Sequence, residues 1–270
     1  MCHIIKQVFS MKNLLIAAGM ALIAAACATV PLTGRRQMAF LPSSQMAAMG
    51  AGNYKQVMAK ARLSRDQEKT AMIKRVGGKI SVAAEKFMRH KGRASDIKHY
   101  KWEYNLIDDD KTINAWAMPG GKIAFYTGIL KLAQTEDEVA VIMGHEVAHV
   151  LAKHGNERMS QMLLVQFGGL ALNKLLEKKP QETQRAFLAA FGMGAQVGVL
   201  LPFSRKHEYE ADEIGLNLMF SAGYDPNAAV KFWTKMTKLG GHVPEFLSTH
   251  PASQNRVAKM QTVIPSLGRN

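Results

Sequence analysis

Residues 135–155 constrain the fold more than any other part of the chain, because they carry the signals of one complete helix. Thr135 and Glu138 have the spacing of a capping box, which predicts the start of the helix, and Gly155 is placed to end it. Apolar residues between these positions recur at the helical period, which predicts a buried face. We expect this helix to form the floor of a cleft.

The pattern His145-Glu146-x-x-His149 lies within this helix. Residues four apart stand one turn apart on the same face, so the imidazoles of His145 and His149 can bind one metal ion. Glu146 projects beside that ion, where its carboxylate can take a proton from a metal-bound water. The pattern predicts a zinc centre with Glu146 as general base. An ordinary core helix with two histidines is the alternative, and it leaves Glu146 unexplained.

A catalytic zinc needs a third protein ligand, and His154 is the nearest candidate along the chain. It lies one place too early for the extended pattern in which a third histidine follows His149 by six residues, and residue 152 is Ala where that pattern has Gly. We therefore expect His154 to act as a cation that caps the C-terminus of the helix.

Carboxylates on a later predicted helix, residues 205–222, are the other candidates. Glu208 and Asp212 are four apart and share a face, so Glu208 can bind zinc while Asp212 accepts a hydrogen bond from a ligand imidazole and fixes its tautomer. This pairing favours Glu208, although the residues alone do not exclude Glu210. A solvated acidic start to the helix is the alternative.

The cysteine count restricts the metal chemistry. Cys2 and Cys27 both lie in the first tenth of the 270-residue chain, so the folded body has no thiol ligand. Any metal must be held by histidine and carboxylate. A hydrophobic content of 47% with 21% charged residues excludes a disordered chain.

The first residues predict a secretory signal. A basic Lys12 precedes 13 uncharged residues, 14–26, and Cys27 follows them. The run resembles a bacterial lipobox, so we expect residues 1–26 to be a signal peptide, with Met11 a more natural start than Met1, and Cys27 to be acylated and anchored to a membrane. Ala28 in place of aspartate favours the outer membrane, facing the periplasm. Ordinary signal cleavage beside an incidental cysteine is the alternative.

The charge excess is local. The formal net charge is +14, and residues 51–101 hold 14 Lys and Arg against four acids. Apolar residues there recur at helical spacing, which predicts an amphipathic helix with a basic face. We expect that face to contact anionic lipid, with a solvated helix face as the alternative. Nucleic-acid binding is not expected, because the chain has a secretory signal and no recognition motif.

The rest of the chain predicts one α+β domain. Strands are predicted over 102–107, 112–118 and 122–126, as a small antiparallel sheet, with Pro119, Gly120 and Gly121 in a turn. Helices are predicted over 127–134, 136–154, 157–178, 182–200, 205–222, 226–238 and after Pro251. We assign residues 27–50 to an N-terminal anchor segment and 51–270 to the domain. The nearly uncharged residues 186–203 are expected to be buried or to touch a membrane surface rather than to span it.

These motifs together resemble a known family. Gly-His-Glu-x-x-His, followed about sixty residues later by Ser-Arg-x-x-Glu-x-Glu-Ala-Asp, is similar to the HtpX-like and CAAX-prenyl-protease-like zinc metallopeptidases, or minigluzincins. The resemblance implies a mostly helical α+β metallopeptidase domain with one Zn²⁺ per chain. It implies that His145, His149 and Glu208 are zinc ligands, Glu146 the general base and Asp212 the partner of a ligand imidazole.

Further stretches share the resemblance. Residues 114–121 are similar to the family's edge strand and turn, which implies that the strand flanks the zinc cleft and binds substrate through Asn114, Ala115, Trp116 and Ala117. The stretch Ser248-Thr249-His250-Pro251 with Arg256 also matches. We expect His250 and Arg256 to stabilise the oxyanion or to occupy the open zinc position in a resting state; a turn histidine is the alternative. Residues 27–37 resemble the start of the family's bacterial lipoprotein subgroup.

The resemblance implies peptide hydrolysis by direct attack of water, with unfolded or misassembled cell-envelope proteins as substrates. The alternative is a non-catalytic, chaperone-like envelope assembly factor that holds client chains in the same cleft.

Overall fold

The structure is a computed structural model that describes residues 27–167, 180–191, 203–238 and 244–268. The predicted signal peptide lies outside these residues. The strands are β1 (Cys27–Thr29), β2 (Arg36–Met38), β3 (Glu103–Ile107), β4 (Ala115–Met118) and β5 (Lys122–Tyr126). The helices are α1 (Ser43–Lys60), α2 (Gln67–His90), α3 (Ala94–Ile97), α4 (Glu136–Leu151), α5 (His154–Phe167), α6 (Pro180–Ala190), α7 (Arg205–Ser221), α8 (Asn227–Thr237), α9 (Glu245–Thr249) and α10 (Gln254–Val263).

The α+β class is confirmed, but the main sheet is mixed rather than antiparallel. Its strand order is β3-β5-β4, with β4 antiparallel and β3 parallel to β5. The turn after Met118 forms the β4–β5 hairpin, with Gly120 and Gly121 at positive φ. β3 and β4 lie on opposite sides of β5, so the connection between them passes β5. β3 therefore pairs with β5 on the side away from β4, and the pairing is parallel. β4 is an edge strand among the described strands, as predicted.

The close crossing of α4 and α7 forms the centre of the core. Gly144 and Gly215 face each other there, and a Cβ on Gly144 would lie 3.1 Å from the Gly215 carbonyl oxygen. Because neither residue has a side chain, the two backbones can approach closely. This contact brings the two predicted ligand-bearing helices together. The predicted amphipathic helix, α2, packs its buried apolar face in the same core.

The start of α4 is confirmed and its end is not. The Thr135 side chain accepts a hydrogen bond from the Glu138 backbone, and the Glu138 carboxylate accepts one from the Thr135 backbone. The helix ends at Leu151, before a left-handed residue, Lys153, with a φ of 60°. Gly155 lies in the next helix instead, where a Cβ would clash with the ring of Phe191.

Other predicted elements differ in extent. The predicted helix over 127–134 is a 3₁₀ helix, Thr127–Lys131. Helix α1 was not predicted. It runs across residue 50, the predicted boundary between the anchor segment and the domain. In the apolar stretch 186–203, residues 186–191 and Phe203 are buried, while residues 192–202 lie outside the described part. Of the helices that the structure describes, none is long and apolar enough to cross a membrane.

Candidate metal centre

Four predicted site residues meet at the crossing of α4 and α7. His145, His149, Glu208 and His250 each direct one donor atom to a common point, and these atoms lie within 4.8 Å of one another. The two α4 histidines place their Nε2 atoms 3.1 Å apart. Glu208 Oε1 lies 3.3 Å from His149 Nε2, and His250 Nδ1 lies 3.2 Å from His145 Nε2. All four side chains are buried.

The donor set fits zinc. Zinc in proteins takes tetrahedral imidazole and carboxylate ligands at about 2.0–2.2 Å, which places neighbouring donors roughly 3.3 Å apart. The separations of 3.1 to 3.4 Å match that spacing. His145, His149, Glu208 and His250 are therefore the residues that could hold the ion, and a catalytic zinc needs only three of them, with the fourth position left for water.

Asp212 and Arg256 support this donor set from behind. Asp212 Oδ1 lies 3.0 Å from His145 Nδ1, the ring nitrogen on the far side from the donor atom. The guanidinium of Arg256 binds Asp212 in a fork, at 2.6 and 2.7 Å, and its Nη1 lies 2.8 Å from Glu208 Oε2. The structure thus places Asp212 beside a histidine, and it places Arg256 against the two carboxylates.

Glu146 lies between the donor cluster and the sheet edge. Its carboxylate accepts a hydrogen bond from the backbone of Ala117 on β4. Its Oε1 atom receives no hydrogen bond from the described residues, and His250 Nε2 is 3.4 Å away. A carboxylate with a free acceptor atom beside the donor cluster has the position required of a general base.

The electrostatics of the centre favour a bound cation. Burial lowers the pKa of His145, but the carboxylates of Glu208 and Asp212 outweigh burial and raise it to about 9. Burial raises the pKa of Glu146. The paired cation of Arg256 and the nearby histidines overcome burial and hold the pKa of Glu208 well below its usual range. Two ionised carboxylates facing imidazoles make the buried centre attractive to positive charge.

The expected substrate-binding residues line the edge of the sheet. Asn114 precedes β4, and its side chain accepts a hydrogen bond from the backbone N–H of Ala115. Trp116 is buried against Tyr54 of α1, with ring centroids 5.8 Å apart. All four residues, Asn114, Ala115, Trp116 and Ala117, are buried in this structure.

His154 does not cap α4 as a cation, so this prediction is wrong. The side chain is fully buried, and burial lowers its pKa to about 4. Its Nδ1 lies 3.0 Å from Nδ1 of His149, and its Nε2 lies 3.0 Å from Glu210 Oε2. Glu210 is thus separated from the donor cluster by His154, which leaves Glu208 as the carboxylate in the cluster.

Sequence reasoning missed a second group of charged residues beside the centre. Arg35 contacts Glu210 at 2.8 Å and Glu157 at 2.7 Å, and Glu157 also accepts a hydrogen bond from His207. For Arg35 the sequence offers only the stretch Thr33-Gly34-Arg35-Arg36-Gln37, which resembles a protein family and indicates no role for the arginine.

Two imidazoles and a glutamate on one helix, with a carboxylate donor from a second, define the class: fold and centre are those of an HExxH metallopeptidase. The chain belongs to peptidase family M48. The family model matches residues 77–264, which include all four candidate donors.

Curated relatives agree with this assignment. The chain is 34% identical over 242 residues to the mitochondrial metalloendopeptidase OMA1 of Schizosaccharomyces pombe, covering 87% of this chain and 66% of the relative. It is 35% identical over 178 residues to OMA1 of Arabidopsis thaliana, covering 66% and 34%. It is 28% identical over 237 residues to the beta-barrel assembly-enhancing protease of Escherichia coli, covering 85% and 46%. The chain thus spans between about a third and two thirds of these relatives.

Proposed function

We propose that the chain is a zinc-dependent endopeptidase that binds one Zn²⁺ through His145, His149 and Glu208. The observation that carries this proposal is the position of Glu146, which lies beside the donor cluster with one carboxylate oxygen that accepts no hydrogen bond from the described residues. Family membership supports the same conclusion.

The chemistry divides between the ion and the protein. When bound, zinc activates a water molecule and polarises the scissile carbonyl. Glu146 accepts the proton of that water and delivers it to the departing amine. Asp212 keeps His145 in the tautomer whose Nε2 is free to bind the ion. The reaction forms no covalent intermediate with the protein.

His250 and Arg256 take different roles in this proposal. The contacts of His250 with His145 Nε2 and Glu208 Oε1 favour a fourth donor in a resting state over an oxyanion donor. Arg256 is buried against Asp212 and Glu208, so it positions these carboxylates and does not contact the reacting groups.

The edge strand supports extended chains as substrates. A peptide added beside β4 would gain backbone hydrogen bonds regardless of its sequence, which favours unfolded or misassembled proteins. β4 and the donor cluster are buried in this structure. A substrate must therefore displace neighbouring parts of the protein to reach them. We place the substrates in the bacterial cell envelope, an inference that also rests on similarity to the beta-barrel assembly-enhancing protease.

The proposed location follows from the N-terminal segment. Cys27, after its apolar run, would carry the lipid of a bacterial lipoprotein, with the chain held at the outer membrane and facing the periplasm. The basic face of α2 would add attraction to anionic lipid. Mass analysis of the native N-terminus tests this; an unacylated residue after cleavage elsewhere would contradict it.

Metal removal tests the proposed activity. We expect the purified protein to cleave casein, to lose cleavage on treatment with 1,10-phenanthroline, and to regain it when a stoichiometric amount of Zn²⁺ is added. The measurement is the rate of release of soluble peptides. Cleavage that persists in the chelated, metal-free protein would contradict a zinc peptidase.

A further inference from the structure

We propose that Arg35 is a positioning residue of the metal centre, acting on His149 through Glu210 and His154. The N-terminal segment 27–38 would then be a working part of the centre and not only a connection to the anchor. The inference rests on the proposed function, because it assumes that His149 binds the metal.

Arg35 is the fixed end of a chain of side chains. Its Nε donates to Glu210 at 2.8 Å and its Nη2 donates at 3.0 Å, while Thr33 Oγ1 donates to the same carboxylate at 2.9 Å. Arginine stays charged at all physiological pH values, and its planar fork orients a carboxylate. Glu210, which is buried, is therefore held in place as an acceptor by the N-terminal segment.

Glu210 passes this orientation to His149 by way of His154. His149 Nε2 points to the donor cluster, so a metal-bound His149 must carry its proton on Nδ1. That nitrogen lies 3.0 Å from His154 Nδ1, which must then accept the proton. The remaining proton of a neutral His154 lies on Nε2, 3.0 Å from Glu210 Oε2.

Each hydrogen bond in this series of side chains can therefore run in only one direction. The order runs from His149 to His154 to Glu210, and it requires Glu210 to remain a carboxylate beside Arg35. Hydrogen bonds that fix the far nitrogen of a ligand histidine set its tautomer and ring orientation. Arg35 therefore acts at a distance from the metal, through two intervening side chains.

The other ligand histidine has a matching arrangement. His145 contacts Asp212, and Asp212 is held by the fork of Arg256. Each histidine of α4 thus has a carboxylate and an arginine behind it. Behind His149, unlike His145, the imidazole of His154 lies between the ligand histidine and the carboxylate. The two arginines come from opposite ends of the chain, so correct docking of residues 27–38 becomes a condition for an ordered centre.

Arg35 could instead only fasten the N-terminal strand to the body, and the two roles differ in what they change. A fastening role alters stability, whereas a positioning role alters metal affinity and the ligand field of the folded protein. Arg36 gives a matched control, because it is the adjacent arginine and its side chain is exposed. Gln37 gives a docking control, because it is buried and its side chain donates to the Ala152 carbonyl rather than to Glu210.

The experiment compares Arg35→Ala, Arg36→Ala and Gln37→Ala in the full chain. Zinc affinity is measured by chelator competition, and the visible absorption of the Co²⁺-substituted protein reports the ligand field. We expect Arg35→Ala to weaken zinc binding about 10- to 100-fold and to shift the Co²⁺ bands. Arg36→Ala should change neither property, and Gln37→Ala should lower the melting temperature without shifting the bands.

Two further variants keep the test decisive. Glu210→Gln preserves the shape of the side chain and should reproduce the loss if Arg35→Ala does not fold; Arg35→Lys should restore only part of the affinity, because lysine lacks the fork. Wild-type affinity and an unshifted Co²⁺ spectrum in folded Arg35→Ala or Glu210→Gln would overturn the inference. A wild-type chain that binds no zinc would instead overturn the proposed function.

Discussion

Glu146→Gln is expected to lower kcat/KM for cleavage of an unfolded protein such as casein by about 10²- to 10⁴-fold, the usual contribution of a general base. The amide has nearly the same shape as the carboxylate but cannot accept the proton of the attacking water. Zinc content should stay at one ion per chain, because Glu146 is outside the set of donor atoms. Paired measurements of peptide release and zinc content separate the loss of chemistry from the loss of metal.

The same substitution near the start of α4 provides a control. Glu136→Gln removes an ion pair with Arg75, whose side chain is 56% exposed, so it should leave cleavage unchanged. Cleavage at the wild-type rate by Glu146→Gln would contradict the mechanism. A cellular effect that persists in a Glu146→Gln strain without cleavage would favour the envelope assembly factor.

Arg256→Leu is expected to lower the free energy of unfolding by about 3–5 kcal/mol, the cost of leaving a buried charge without its partner. Arg256 is 3% exposed, and its removal would leave Asp212 and Glu208 buried without their shared cation. The guanidinium also lies 3.8 Å from the ring centroid of Trp233, a contact that leucine cannot replace. Urea unfolding of the zinc-loaded protein gives the difference.

Lys259→Leu on the same helix tests whether loss of charge alone explains the effect. Lys259 is 47% exposed and lies 3.9 Å from Glu213, so its removal should change stability by less than about 0.5 kcal/mol. Arg256→Lys should recover part of the loss, because one ammonium cannot bind both oxygens of Asp212 and reach Glu208 as well. An Arg256→Leu variant as stable as the wild type would show that the buried pair is not a support of the centre.

The sequence predicts those parts of the fold that depend on local chemistry. The start of α4 follows from the capping box, whose two hydrogen bonds join residues three apart. The end of α4 does not follow, because it depends on the left-handed Lys153 and on Phe191, which packs against Gly155. The parallel pairing of β3 with β5 was likewise hidden, since short strands carry no signal for the route of the connection between them.

The same distinction holds at the metal centre. His145 and His149 share a helix face, so their meeting could be predicted from spacing alone. Glu208 could be favoured through Asp212 four residues later. The partners of Glu210 could not be predicted, because they include Arg35, 175 residues away, and the buried His154. His154 was misjudged because its burial between His149 and Glu210 is a property of the packed helices.

Zinc content of the purified Glu208→Gln variant tests the central claim most directly. We predict about one zinc ion per chain in the wild type and well below one in Glu208→Gln, because the amide oxygen is a much weaker ligand than the carboxylate. Glu213→Gln, on the same helix and outside the donor cluster, should keep its zinc. A Glu208→Gln variant that retains one tightly bound zinc, or a wild type that binds none, would contradict the account.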